Sequence, residues 1–120
     1  MKKLVALLAT LASLMFTPAA HADVALATAK GCTACHQVDK KVLGPAYNAV
    51  AACYASKDEK KTAASKVLIA KHIKEGGAGA WGFIPMPAHP SVSDADIGKL
   101  VDWILALKDG ECPKEFKGSK

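Results

Sequence analysis

The pattern of apolar and polar positions changes character several times along the chain. Residues 4–16 form one apolar run interrupted only by Thr10 and Ser13, behind Lys2 and Lys3. Beyond it the pattern becomes helical. Residues 24–30 read as a short helix. Pro45 suits the first turn of a helix running to about Tyr54, because proline lacks an N–H that a first turn would not use. From Thr62 to Glu75, Val67, Ala70, Ile73 and Lys74 recur at helical spacing, and Gly76-Gly77 ends the segment. The last helix starts at Ser93, with Asp94 and Asp96 in its first turn, where carboxylates suit the helix dipole. Its apolar stripe is Ile97, Leu100, Val101, Ile104 and Leu107, and Lys108 and Gly110 mark its end. Residues 76–79 read as a mobile turn. No strand pattern of useful length, internal repeat or low-complexity linker appears. The expected fold class is all-α, with about four short helices.

Length and composition bound what those helices can do. At 120 residues the chain allows one domain. It is too short for a Rossmann domain with a substrate domain or for an (α/β)8 barrel. All 16 basic residues are lysine, against 11 acidic ones. The absence of arginine argues against nucleic acid, whose bases and phosphates favour the guanidinium fork. The opening run reads as a secretory signal peptide, residues 1–22, with a small-x-small cleavage site at Ala20-His21-Ala22. The run is shorter than the roughly 20 residues needed to cross a bilayer. Cleavage before Asp23 removes two lysines and no acid, lowering the net charge of +5 by two. The remaining domain, residues 23–120 with a tail from about residue 109, is expected in the periplasm, with no membrane span. A domain this small buries a modest core and gains from a staple or a cofactor.

Gly31-Cys32-Thr33-Ala34-Cys35-His36 contains C-x-x-C-H, the attachment pattern of c-type haem. Two thiols three positions apart lie on one face of a helical turn, where each adds to a vinyl group of the porphyrin. His36 then directs its imidazole at the iron. A thioredoxin pair would follow a strand in an α/β domain, and no such alternation is present. A zinc site would need a second ligand pair at suitable spacing, and there is none. The expected cofactor is therefore one covalently attached haem c. Met86, the one methionine after the signal segment, lies in Trp81-Gly82-Phe83-Ile84-Pro85-Met86-Pro87. Flanking prolines favour a stiff loop holding one side chain over a helix or strand. Met86 is the expected sixth ligand, with His72 and His89 as alternatives.

This ordered set resembles the small bacterial class I monohaem cytochromes c, the short periplasmic electron carriers. The resemblance runs from about Val24 to Lys108. It rests on Gly31 to His36, Gly44-Pro45-Ala46-Tyr47, Trp81 through Pro87, and a final helix around Trp103. It implies three to five helices wrapped around one haem, with the first and last helices crossing. It implies that the Pro45 carbonyl accepts a hydrogen bond from His36 and that Trp81 donates to a haem propionate. His72 stands where relatives often place an arginine near a propionate. His89 stands where they often place an asparagine beside the methionine sulfur. Ala25 and Ala27 leave the first helix without the usual aromatic, which implies looser packing on the last helix.

Cys53 and Cys112 are left over from a single haem. In an oxidising compartment an even remainder suggests a disulfide pinning the tail, against two free thiols or an intermolecular bridge. Lys30, Lys40 and Lys41 flank the attachment motif and would steer a partner with an acidic patch. Lys57, Lys60, Lys61, Lys66, Lys71 and Lys74 add charge further along, and those on the third helix read as solvated surface. The expected function is single-electron shuttling between respiratory redox partners, without enzyme activity. The donor would be a quinol-oxidising complex or its equivalent, and the acceptor a terminal oxidase, nitrite reductase or peroxidase. The competing readings are a haem enzyme subunit and a gas-ligand sensor with a labile sixth ligand.

Overall fold

The computed structural model describes residues 24–118. The signal segment, the position of its cleavage and the last two residues lie outside the described residues. The elements in order are α1 (Val24–Ala29), a 3-10 turn (Cys32–Ala34), α2 (Tyr47–Tyr54), α3 (Glu59–Glu75), β1 (Gly77–Gly79), β2 (Gly82–Met86) and α4 (Asp94–Ala106). Helix α4 follows the sequence pattern closely. The Ser93 hydroxyl accepts the Asp96 N–H at 3.1 Å, and Ile97, Leu100, Val101 and Ile104 are buried. Helices α2 and α3 both pack on this face.

Several boundaries differ from the sequence expectations. Pro45 precedes α2 rather than forming its first turn, and Ala46 is the cap, with no side-chain hydrogen bond. The preceding loop takes over that role: the Gln37 and Val38 carbonyls accept the N–H groups of Tyr47 and Asn48 at 2.9 and 3.0 Å. Helix α3 starts at Glu59, three residues before the expected Thr62. Asp58 caps it, accepting the N–H groups of Lys60 and Lys61 at 2.9 and 3.2 Å. Ile73 lies on the buried face of α3 as expected, joined there by Ile69, whereas Val67 is 70% exposed.

The segment read as a mobile turn is an antiparallel ribbon. Gly77 pairs with Met86 and Gly79 with Gly82, with a register shift between them. A Gly-Ala-Gly strand carries no apolar alternation to read, and an isolated two-stranded ribbon tolerates Pro85 at its free edge. Met86 therefore ends a strand rather than sitting in an open loop. Gly76, which closes α3, has φ 77° and ψ −176°, a conformation almost confined to glycine. A Cβ there would lie 2.5 Å from the Met86 carbonyl oxygen and 2.9 Å from the Ala88 nitrogen. The end of α3 and the Met86 strand are thus in direct backbone contact.

Helix α1 packs on α4 through Ala27, which is 0% exposed. Lys30, directly after α1, and Asp96 in α4 add an ion pair of 2.9 Å.

Candidate functional site

The attachment motif is built on the 3-10 turn that follows α1. The Cys35 and His36 N–H groups both donate to the Cys32 carbonyl, at 3.1 and 3.0 Å. This tight turn sets the two thiols and the imidazole along one wall. Both thiols are half-buried and unbonded to other sulfurs. Burial pushes the Cys32 thiol up from its ordinary value, partly offset by a hydrogen bond with the Tyr47 side chain.

His36 is held from three sides. Its Nδ1 lies 2.8 Å from the Pro45 carbonyl oxygen. A carbonyl only accepts, so Nδ1 carries the proton and Nε2 keeps a free lone pair. Burial lowers the imidazole pKa, and this outweighs the opposing effect of the Pro45 carbonyl. The ring stacks on Tyr47 at 5.2 Å with an interplanar angle of 18°, and Tyr47 in turn meets Trp103 edge-on at 5.2 Å. The third contact is Gly44, where a Cβ would overlap the imidazole ring. Only glycine lets the loop backbone lie against the ring. Sequence reasoning quoted Tyr47 and Gly44 within a motif but gave neither a role at the site.

Cys32, Cys35, His36, His72, Trp81, Met86 and His89 line one cavity of about 330 Å³, and Pro45 contributes to its wall. The remaining lining is largely apolar. Val50, Tyr54, Ile69, Ile73, Leu100 and Ile104 come from α2, α3 and α4 and belong to the hydrophobic core as well. The cavity therefore opens at the surface and reaches into the core of the domain. At its rim Leu43 and Ile84 are 53% and 48% exposed, apolar groups placed where a flat apolar ligand would cover them.

The donor set fits haem c. Two free thiols, the His36 imidazole with a bare Nε2, the further imidazoles of His72 and His89 and one thioether line a largely apolar cavity. Among the described residues no group of three or more His, Cys, Asp or Glu is placed to hold a metal ion. No described helix is long and apolar enough to cross a membrane.

Trp81 lies at the turn between β1 and β2 and is half-buried. It faces the cavity and also packs on Phe116, ring centroids 4.4 Å apart. Phe116 was missed by sequence reasoning; a lone aromatic in a charged tail behind Cys112 was the available signal. The Sγ atoms of Cys53 and Cys112 are 1.92 Å apart, with Cα atoms at 4.7 Å, joining the end of α2 to that tail. Of the lysines expected to flank the motif, Lys30 is occupied by Asp96, while Lys40 and Lys41 are exposed.

The Cytochrome c family model matches residues 24–108. A cytochrome c-552 of Nitrosomonas europaea is 52% identical over 89 residues, covering 74% of this chain and 82% of the relative. A cytochrome c-551 of Allochromatium vinosum is 48% identical over 90 residues, covering 75% and 90%. The crystal structure of wild-type Nitrosomonas europaea cytochrome c552 superposes with a TM-score of 0.63 at 50% identity, over 72% of this chain and all of that one.

Proposed function

The chain belongs to the cytochrome c family, as a small class I monohaem electron carrier with one covalently bound haem c, and from that premise we propose how its residues hold and use the haem. Cys32 and Cys35 would hold the haem through thioether links, and His36 and Met86 would ligate its iron. The observation that carries this reading is the His36–Pro45 hydrogen bond, which leaves Nε2 as the only ligating nitrogen of a ring fixed beside both thiols.

Bound haem supplies a one-electron ferric–ferrous couple, with thioether ligation favouring the ferrous form relative to bis-histidine. The chain's own residues do the rest. The Pro45 carbonyl orients the imidazole and raises its donor strength. Tyr47 and Gly44 prevent the ring from rotating. Pro85, Pro87 and the pairing of β1 with β2 restrict the Met86 backbone. Residues of α2, α3 and α4 exclude water. A wall that stays the same in both oxidation states leaves little to reorganise when an electron moves. Trp81 and His72 are the candidate propionate neighbours on the cavity wall, and His89 is a further wall residue.

The protein works, on this reading, in the periplasm after loss of residues 1–22. It accepts electrons from a quinol-oxidising complex or similar donor. It passes them to a terminal oxidase, nitrite reductase or peroxidase, docking through acidic patches on those partners. Exposed Lys40 and Lys41 beside the motif support that mode of approach. The restrained Met86 backbone favours a six-coordinate carrier over a gas sensor or haem enzyme.

The test is a redox-resolved optical spectrum of the purified holoprotein with a carbon monoxide titration. A weak far-red ferric band, lost in Met86→Ala, and slow, incomplete carbon monoxide binding are expected. Rapid stoichiometric binding by the ferrous protein would reject the carrier reading.

A further inference from the structure

Residues 109–117 lie beyond the stretch matched by the family model, yet they are fastened to the body at every step. Gly110 crosses the first turn of α2 so closely that a Cβ would overlap the Asn48 carbonyl. Cys112 is bonded to Cys53 at the other end of α2. The Lys117 N–H donates to the Ala80 carbonyl at 3.0 Å, at the turn between β1 and β2. Between the last two anchors, Phe116 is buried. Its ring meets Tyr54 edge-on at 5.3 Å and Trp81 at 4.4 Å.

Tyr54 and Trp81 both line the cofactor cavity, and Phe116 does not. On its outer side Trp81 lines a second cavity, about 290 Å³, bounded by tail residues Asp109, Glu111, Pro113, Glu115 and Phe116. Trp81 is therefore a partition one ring thick. The cavity proposed for the haem lies on one side of it, and a pocket edged by four carboxylates, of Asp39, Asp109, Glu111 and Glu115, together with Lys41, lies on the other. A partition that thin keeps its place only if something supports its outer face, and Phe116 is the ring that does so.

We propose that residues 109–117 are a clasp, with Phe116 as a positioning residue that holds Trp81 and Tyr54 as one dry wall of the haem site and so sets the reduction potential. The proposal rests on haem occupying the cavity as described above. The physical link is the cost of charge in an apolar site. The ferric haem carries one more positive charge than the ferrous, and water reaching the site favours the charged form. Loosening the wall therefore lowers the potential.

The experiment uses full-length holoprotein carrying Phe116→Ala, Phe116→Leu or the double change Cys53→Ser with Cys112→Ser. Midpoint potentials are read by spectroelectrochemistry, and exchange of the Trp81 indole N–H is read by NMR of the diamagnetic ferrous form. Phe116→Ala is expected to shift the potential downward and to speed indole exchange. Phe116→Leu, which keeps apolar bulk, should restore much of both and covers the case in which the alanine variant fails to fold. The double cysteine variant should move both readouts in the alanine direction. Ile97→Val serves as the control, because Ile97 is buried in α4 and borders neither cavity, so it should lower stability with the potential unmoved. A Phe116 variant that loses stability while potential and exchange stay at wild-type values overturns the clasp. Absence of the far-red band in wild-type protein would instead strike the Met86 assignment, leaving the indole exchange comparison intact.

Discussion

Gly76→Ala is the sharpest single perturbation the structure offers, because two independent costs meet at one atom. The backbone at Gly76 has φ 77° and ψ −176°, a region in which a side chain costs about 1–3 kcal/mol. The new Cβ would also lie 2.5 Å from the Met86 oxygen and 2.9 Å from the Ala88 nitrogen. Both are backbone atoms, so no flexible side chain can move aside. Overpacking of that kind costs about 1–3 kcal/mol. Together the two give about 2–6 kcal/mol, against a total stability of about 5–15 kcal/mol for a domain. Thermal unfolding of the ferric holoprotein should fall by at least about 8 °C. The strain also has an address: the shift needed at Met86–Ala88 acts on the proposed ligand strand, so the far-red band should weaken before the helical signal does. Gly98 supplies the opposite case within the same protein. It sits at an exposed position of α4 with open space around it, so Gly98→Ala should gain about 0.5–1 kcal/mol. A Gly76→Ala protein as stable as wild type, or one destabilised with an unchanged far-red band, refutes the reasoning.

Three further outcomes follow from individual groups. The Tyr54 hydroxyl is buried with no hydrogen-bond partner among the described residues and its ring lines the cavity, so Tyr54→Phe, which keeps the ring, should change stability by no more than about 1 kcal/mol in denaturant unfolding; a larger loss would reveal a partner supplied by the bound haem. The Lys30 ammonium beside Asp96 holds its carboxyl below the usual carboxylate value. That stabilisation is present above the unfolded-state pKa and disappears as pH falls through the lower folded-state value; acid unfolding curves of Asp96→Asn should lack this component, and superimposable slopes would contradict it. Replacing Lys40 and Lys41 with glutamate should slow electron transfer to an acidic partner at low ionic strength and leave little difference at high ionic strength, as read by stopped-flow mixing; rates insensitive to salt would remove the steering role.

What could be read from the sequence was local in its causes. Helix α4 announces itself because its cap, its dipole-matched carboxylates and its apolar stripe all lie within one segment. The start of α2 was misplaced because its first N–H groups are satisfied by Gln37 and Val38, ten residues upstream, and no propensity records that. Val67 was put on the wrong side of α3 because Val67 and Leu68–Ile69 fit a helical period equally well, and only packing on α4 decides between them. The β1–β2 ribbon rests on glycine backbone geometry and not on side-chain alternation. The same division holds at the site. C-x-x-C-H is a contiguous motif, whereas the role of Phe116 depends on Trp81, far upstream, and on a tail folded back by Cys112.

The division between wall and ligand strand has a consequence for how this domain can vary. Val50, Ile69, Ile73, Leu100 and Ile104 are at once core and cavity wall. Haem binding and burial of the core are therefore largely one event, and a substitution at any of these positions changes stability and the haem environment together. The Met86 strand is different. It is fixed by backbone: by the close approach of Gly76, by pairing with β1, and by prolines on either side. Its own side chains are largely free of the core, and Phe83 in the same strand is 92% exposed. Side chains along β2 can consequently change without disturbing the packing that holds the helices together. The exposed positions of β2 are free to vary, while the cavity wall is made by residues that also keep the chain folded.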